Sequence, residues 1–333
     1  MKFLIVGGAG YIGSHMVKML AKAGHDVLVL DNLTTGFRQS VKYGRLIIGD
    51  LADINLLETL FTQNQFDGVM HFAANSLVGE SMNNPAKYYR NNVSNTLNLL
   101  DVMVRHNVKH FIFSSTAATF GEPEYVPIDE KHPQKPINPY GASKLMIERI
   151  LQDYAQAYSL NSVCLRYFNA CGADPEGEIG ECHDPETHLI PLILQAASGR
   201  REYITVFGRD YPTVDGTCIR DYIHINDLCS AHALAMDYIL TGKETGALAF
   251  NLGNGTGFSV QQVIDVVNKV ITEDNCTLTI KDGERRPGDP AILVADATQA
   301  KTKLGWQPVF ADLETIVRHA WAWEKKQIKK DTK

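Results

Sequence analysis

The chain has no Cys-x-x-Cys pair; its six cysteines (164, 171, 182, 218, 229 and 276) are scattered. That excludes a disulfide-stapled mini-domain and predicts reduced thiols in a cytoplasm. No apolar run approaches the roughly 20 residues needed to cross a bilayer. The apolar start at 3–6 stops at Gly7-Gly8, too short for the core of a signal peptide. Positive charge is not in excess: a net charge of −6 argues against nucleic-acid partners and anionic membrane surfaces. Internal repeats and low-complexity tracts are missing, and the charged tail at 325–333 is expected to be solvated. Glu181-Cys182-His183-Asp184 with His188 offers metal-ligand residue types, but the spacing fits no common zinc pattern. A polar loop and no metal are expected there. What is present, 44% hydrophobic and 21% charged residues in a chain of 333, suits about two soluble globular domains.

An apolar run at 2–7 reads as a buried parallel strand and leads into Gly7-Gly8-Ala9-Gly10-Tyr11-Ile12-Gly13. A helical pattern through Met16, Val17, Met19 and Leu20 follows. Glycines at 7, 10 and 13 between strand and helix allow a tight turn and close approach of a pyrophosphate to the helix N-terminus. The second strand, 26–30, ends at Asp31, 18 residues after Gly13. An acid there accepts hydrogen bonds from ribose hydroxyls and repels a 2′-phosphate, which favours NAD over NADP.

Strands at 46–48, 68–72, 111–113 and 162–166 alternate with helices at 54–61 and about 85–106. The pattern predicts an α/β fold, a Rossmann-like doubly wound parallel sheet. Asp50-Leu51 and Phe72-Ala73-Ala74 close their strands on the same edge as Gly7. Past residue 170 the alternation fades. The boundary is therefore drawn as 1–170 for cofactor binding and 171–333 for a smaller, mixed α/β C-terminal substrate domain. Segments at 220–225 and 249–252 are expected to return to the first sheet.

Chemistry is concentrated at Asn138-Pro139-Tyr140-Gly141-Ala142-Ser143-Lys144. A helix over 140–158 puts Tyr140 and Lys144 on one face, one turn apart. Of 13 tyrosines, Tyr140 alone has a lysine four residues on. An ammonium beside a phenol is expected to lower a pKa that starts near about 10, as proton exchange with a substrate requires. Ser114-Ser115-Thr116 closes the 111–113 strand at the edge where open α/β sheets bind ligands.

These residues resemble the extended short-chain dehydrogenase/reductase family, and within it the enzymes that epimerise nucleotide sugars. The resemblance runs through GGAGYIGSH (7–15), DNL (31–33), HFAA (71–74), VGES (78–81), YYRNNV (88–93) and FSSTAATFGE (113–122). It continues through NPYGASKLMIE (138–148), LRYFNACGA (165–173), DGTCIRDYIH (215–224), NLGNG (251–255) and RRPGDP (285–290). It implies an NAD-dependent isomerase that inverts C4 of a UDP-hexose, UDP-galactose to UDP-glucose, through a 4-keto intermediate. Tyr140 would exchange the 4-hydroxyl proton, Thr116 would hold the 4-oxygen, and Lys144 would bind the nicotinamide ribose. NAD would also touch Gly7, Gly10, Tyr11, Ile12, Gly13, Asp31, Asn32, Leu33, Thr34, Thr35 and Gly36. Asp50, Leu51, Phe72, Ala73, Ala74, Ser76, Asn91, Ser114 and Phe168 complete that set. The UDP-hexose would meet Asn169, His188, Leu189, Thr205, Phe207, Arg220, Arg286 and Asp289.

The chain departs from the family pattern at several places. Ser76 replaces a cofactor-facing lysine, Phe120 a tyrosine and His188 an asparagine. Leu293, at a position that gates N-acetylated sugars, is intermediate in size and implies partial acceptance of UDP-N-acetylglucosamine. A 4,6-dehydratase or decarboxylase would carry an acid after Thr116, where Ala117-Ala118 stand. A non-catalytic NAD-binding protein should have lost Thr116, Tyr140 or Lys144. The family also implies a homodimer through helices 85–106 and 140–158, with Leu97, Leu100, Leu151 and Tyr154 as candidate contacts.

Overall fold

The computed structural model describes residues 1–286 and 289–331. Pro287 and Gly288 of the 285–290 motif lie outside them, as do the tail residues 332 and 333. The first half alternates strands with helices, except that a short 3-10 turn joins the second and third strands. The strands are β1 (Lys2–Val6), β2 (Asp26–Asp31), β3 (Arg45–Ile48), β4 (Gly68–His71), β5 (His110–Thr116) and β6 (Asn161–Tyr167). Between them run α1 (Tyr11–Lys22), α2 (Ile54–Gln63), α3 (Val78–Asn83), α4 (Pro85–Tyr88), α5 (Asn95–Arg105) and α6 (Pro139–Tyr158).

The second half holds β7 (Asn169–Cys171), β8 (Ile204–Phe207), β9 (Ile219–His224), β10 (Ala247–Leu252), β11 (Gly257–Ser259), β12 (Ile280–Gly283) and β13 (Ile292–Leu293). Its helices are α7 (Leu189–Ala197), α8 (Ile225–Leu240), α9 (Val260–Thr272) and α10 (Leu313–Asp331), the last absorbing the charged tail as far as it is described. Among the described residues no helix is long and apolar enough to cross a membrane.

Seven strands form one sheet in the order β10-β6-β5-β4-β1-β2-β3, all parallel. The order reverses between β1 and β4, so a crevice opens beyond Gly7 and Phe72, at the topological switch point. Strand alternation feeds two cores. Phe3 and Ile5 of β1 pack with Met16, Val17 and Met236 on one face. Leu4 and Val6 pack with Leu57, Leu99 and Ile147 on the other. A third core, with Ile193, Val263, Val267 and Ile316, holds the C-terminal helices together.

One expected return to the first sheet is corrected. β10 pairs with β6, but β9, which covers most of 220–225, pairs instead with β7, β11 and β13. β6 has β5 on one side and β10 on the other, and β9 is taken up in a separate sheet between β11 and β13. Asp221 is buried at the centre of that second sheet, where its carboxylate accepts from the N–H groups of Asn254, Gly255 and Ala295.

The helix expected over 85–106 is interrupted by a π turn at Tyr89–Ser94. Asn92 is buried there, accepting from Asn75 N and donating to Ser143 Oγ. Leu100 and Leu151 are fully buried in the chain's own core, so they are not outer contacts; Leu97 and Tyr154 are half-buried.

Candidate active site

A cleft of about 670 Å³ follows the crevice from the glycine turn to β9 and β13, within the size range of small-molecule sites. Its floor is the turn between β1 and α1. Gly7 has φ +79°, and a Cβ there would meet Ala73 N at 2.5 Å; one on Gly13 would meet Gly7 O at 2.2 Å. Those two glycines make the turn possible. Gly10 is different, because a Cβ there would meet nothing closer than Gly7 O at 3.5 Å. Its bare backbone lies open to the cleft.

No side chain caps α1, so its first-turn N–H groups and dipole are available to an anion. Asp31 is oriented by two backbone donors, Ala9 N at 2.9 Å and Leu33 N at 2.8 Å. Burial pushes its carboxyl up, and those two bonds pull it part-way back. Bare glycine backbone, uncapped helix and buried acid together fit a dinucleotide.

The inner wall is β5 and α6. Asn138 caps α6 by accepting from Gly141 N at 2.8 Å, and Pro139 opens the helix without needing a donor. Lys144 is 3% exposed and donates to Ser114 O at 2.7 Å, with its Nζ 4.7 Å from the centre of the Phe113 ring. Tyr140 and Thr116 face the same space.

The expected acidification of Tyr140 by Lys144 is not what the cleft produces. Burial pushes the phenol up, and the Thr116 hydroxyl beside it pulls part-way back. Burial also lowers Lys144 to about 7. Desolvation outweighs the i,i+4 pairing because both groups sit in a wall with little water.

A second layer backs this wall. Arg166 and Glu148 form a buried ion pair at 2.6 Å, and Ser115 and Gln134 also donate to that carboxylate. Glu148 follows Tyr140 and Lys144 by a further four residues. That i, i+4, i+8 stripe was the sequence signal for it, and the motif reading gave it no role.

The outer wall is built from β9, β13 and loops. Arg220 pairs with Asp289 and donates to Ile219 O. Asn169 Nδ2 donates to Asp221 O at 3.0 Å, and Leu293 lines the cleft. Arg285 pairs instead with Asp210.

The cleft lining includes Gly7, Gly10, Tyr11, Ile12, Gly13, Thr34, Thr35, Phe72, Ala74, Ser76, Ser114, Phe168 and His188. Others are not brought to that surface. Leu51 packs in the core; Asn91 donates to Asn92; Asn32 donates to Asp50. Ala73 and Gly36 back the glycine turn, in contact range of Gly7 and Ala9. Leu189 opens α7, and Phe120 is fully buried against His132 and Arg166. Thr205 and Phe207 stand on β8, where Arg286 covers the Phe207 ring at 4.1 Å, outside the cleft lining.

Sequence reading missed Asn75, Leu77, Tyr167 and His183, all of which line the cleft. It also missed how the loop at 181–188 closes. His183 and His188 sit against Glu181 and Glu186, while Cys182 and Asp184 are not in that cluster. Burial lowers both imidazoles, but the carboxylates overcome it and hold them at about 9 and 10.

A family model described as "NAD dependent epimerase/dehydratase family" matches residues 3–253. The chain belongs to this family. It is 52% identical over 325 residues to a UDP-glucose 4-epimerase of Halalkalibacterium halodurans, covering 98% of this chain and 96% of that one. A UDP-glucose 4-epimerase of Brucella ovis, solved in complex with NAD, is 47% identical with a TM-score of 0.92, covering 96% of this chain and 97% of that one. The enzyme from Bifidobacterium longum, solved with NAD+ and UDP, is 37% identical with a TM-score of 0.91, covering 98% and 99%. This family's fold accounts for the parallel sheet and the switch-point cleft.

Proposed function

We propose that the chain interconverts UDP-galactose and UDP-glucose by redox-neutral epimerisation at C4 with NAD held in the cleft. The observation that carries this reading is the convergence of Thr116, Tyr140 and Lys144 on a cleft floored by the Gly7–Gly13 turn and walled by Arg220.

The bare backbone at Gly10, the α1 N-terminus and Asp31 would hold NAD, which would supply the hydride acceptor. Tyr140 takes the proton of the sugar 4-hydroxyl as the C4 hydrogen leaves as hydride, giving a 4-keto sugar. Lys144, titrating near about 7, can carry the ammonium that helps bring the raised phenol down. Thr116 donates to the 4-oxygen and holds it against Tyr140. After the sugar turns over on its diphosphate link, Tyr140 would return the proton to the 4-oxygen presented from the opposite face. The interconversion consumes no oxidant.

Arg220 grips the diphosphate with a guanidinium fork, and exchanges Asp289 for it on binding. Asn169 and His188 flank the same path. Thr205, Phe207 and Arg286, the last already lying over the Phe207 ring, are assigned to the uridine. Leu293, in the cleft wall, leaves room for partial acceptance of UDP-N-acetylglucosamine; no turnover of that sugar, where UDP-galactose reacts, would refute this. The chain acts as a homodimer through α5 and α6, using exposed Met146 and Tyr158 with half-buried Leu97 and Tyr154. Light scattering at micromolar protein tests that assembly, and a monomer mass counts against it.

To test the reaction, purified protein is incubated with UDP-galactose and no added cofactor and followed by proton NMR. UDP-glucose is the expected product. If it is absent both without and with supplied NAD, the reading fails.

A further inference from the structure

The loop between β7 and α7 gathers Glu181, His183, Glu186 and His188 so that one ligand atom from each lies within 4.8 Å of the others. We propose that this cluster is a zinc(II) site at the rim of the cleft. Both carboxylates are deeply buried, with side chains 5% exposed, while His188 is about half exposed and leaves a path for an ion to enter.

With Glu186 offering Oε2, three of the ligand-atom separations, 2.9, 3.3 and 3.4 Å, are close to tetrahedral edges. His188 Nδ1 lies 2.9 Å from Glu181 Oε1 and 3.0 Å from Glu186 Oε1. His183 Nδ1 lies 3.3 Å from Glu181 Oε1 and 3.4 Å from Glu186 Oε2. A tetrahedral zinc with bonds of about 2.0–2.1 Å sets its ligand atoms about 3.3 Å apart.

Hydrogen bonding accounts for only part of the arrangement, the bond between His188 Nδ1 and Glu186 Oε1 at 3.0 Å. Glu181 Oε1 and His183 Nδ1 are buried without a hydrogen-bond partner, although they sit within contact range of each other. Backbone groups orient part of the cluster. Thr187 N and His188 N donate to Glu186 Oε1, leaving Oε2 to face His183. Trp323 Nε1 donates to Glu181 O at 2.9 Å. Two imidazoles and two carboxylates neutralise a divalent ion, and this donor set selects zinc over magnesium or calcium. The His183 ring also stands edge-on to Tyr11 at 6.0 Å, so the ion would tie this loop to the glycine turn across the cleft.

The test uses the full chain with its NAD, stripped with a chelator and dialysed against micromolar zinc(II). One zinc per chain is expected, with X-ray absorption showing four nitrogen or oxygen neighbours at about 2.0–2.1 Å, imidazole scattering and no sulfur shell. His183→Gln and Glu186→Gln are each expected to weaken zinc binding at least about 100-fold, beyond the 10–100-fold seen for outer-shell changes; Cys276→Ser is expected to leave it unchanged. If the wild type retains no zinc, the four residues are a salt-bridge network only and the proposal falls. A sulfur shell, or wild-type affinity in both variants, overturns it equally. Where either variant fails to melt cooperatively, the wild-type absorption spectrum decides alone.

Discussion

The two walls of the cleft are held in different ways. The inner wall is regular structure: β5 and α6 fix Thr116, Tyr140 and Lys144, and the buried Arg166–Glu148 pair braces them from behind. The outer wall is short strands and loops, and its main cation, Arg220, already holds an acid, Asp289, that is partly exposed. A wall that must present reacting atoms within tenths of an ångström is pre-formed. One that must admit and release a nucleotide instead trades one charged partner for another.

This difference can be broken or sharpened by substitution. Tyr140→Phe should have the largest effect, lowering turnover about 10²–10⁴-fold while NAD stays bound. Kinetics and the bound-cofactor absorbance measure both, and substantial remaining activity would mean that another group moves the proton. Next comes Glu148→Gln. It leaves Arg166 as a buried, unpaired charge and should cost about 3–5 kcal/mol of stability, read from denaturant unfolding. A loss below about 1 kcal/mol would mean the inner wall is not braced as described.

On the outer wall, Arg220→Gln should reverse the pattern. A charged hydrogen bond to phosphate is worth about 1.5–3 kcal/mol, so kcat/KM should fall about 10–100-fold, mostly through KM. Stability should move by less than about 1 kcal/mol, as for a partly exposed pair.

The gentlest test is pH. Burial lowers Lys144 from 10.5 to about 7. Above about pH 7 the folded chain has released a proton that the unfolded chain still holds, so this group makes stability rise with pH up to about 10.4. Its contribution is fully present above that value and is lost as pH falls through about 7. Comparing melting temperatures of the NAD-free wild type and Lys144→Met across that range isolates the effect; parallel profiles would remove Lys144 as the cause.

The inner wall was legible in the sequence because regular elements convert spacing into direction. The glycines at 7 and 13, Asp31 at a strand end, and Tyr140 with Lys144 on one helical face all follow from period and turn chemistry. Electrostatics were not legible in the same way. The expected acidic phenol depended on charge proximity, whereas the folded wall is governed by desolvation. The π turn at Tyr89–Ser94 was hidden because its buried Asn92 is polar and breaks the apolar period. The outer wall was least legible. Pairing Arg220 with Asp289, or gathering two histidines with two glutamates, depends on loop paths that no periodicity encodes.

The central claim, that one hydrogen leaves C4 and the same hydrogen comes back, is tested most directly by running the conversion of UDP-galactose in D2O. The C4 position of the UDP-glucose formed should keep its protium through many turnovers, because hydrogen that moves as hydride does not exchange with solvent. Deuterium appearing at C4 would mean that the hydrogen leaves as a proton, and the account built on Thr116, Tyr140 and Lys144 would be wrong.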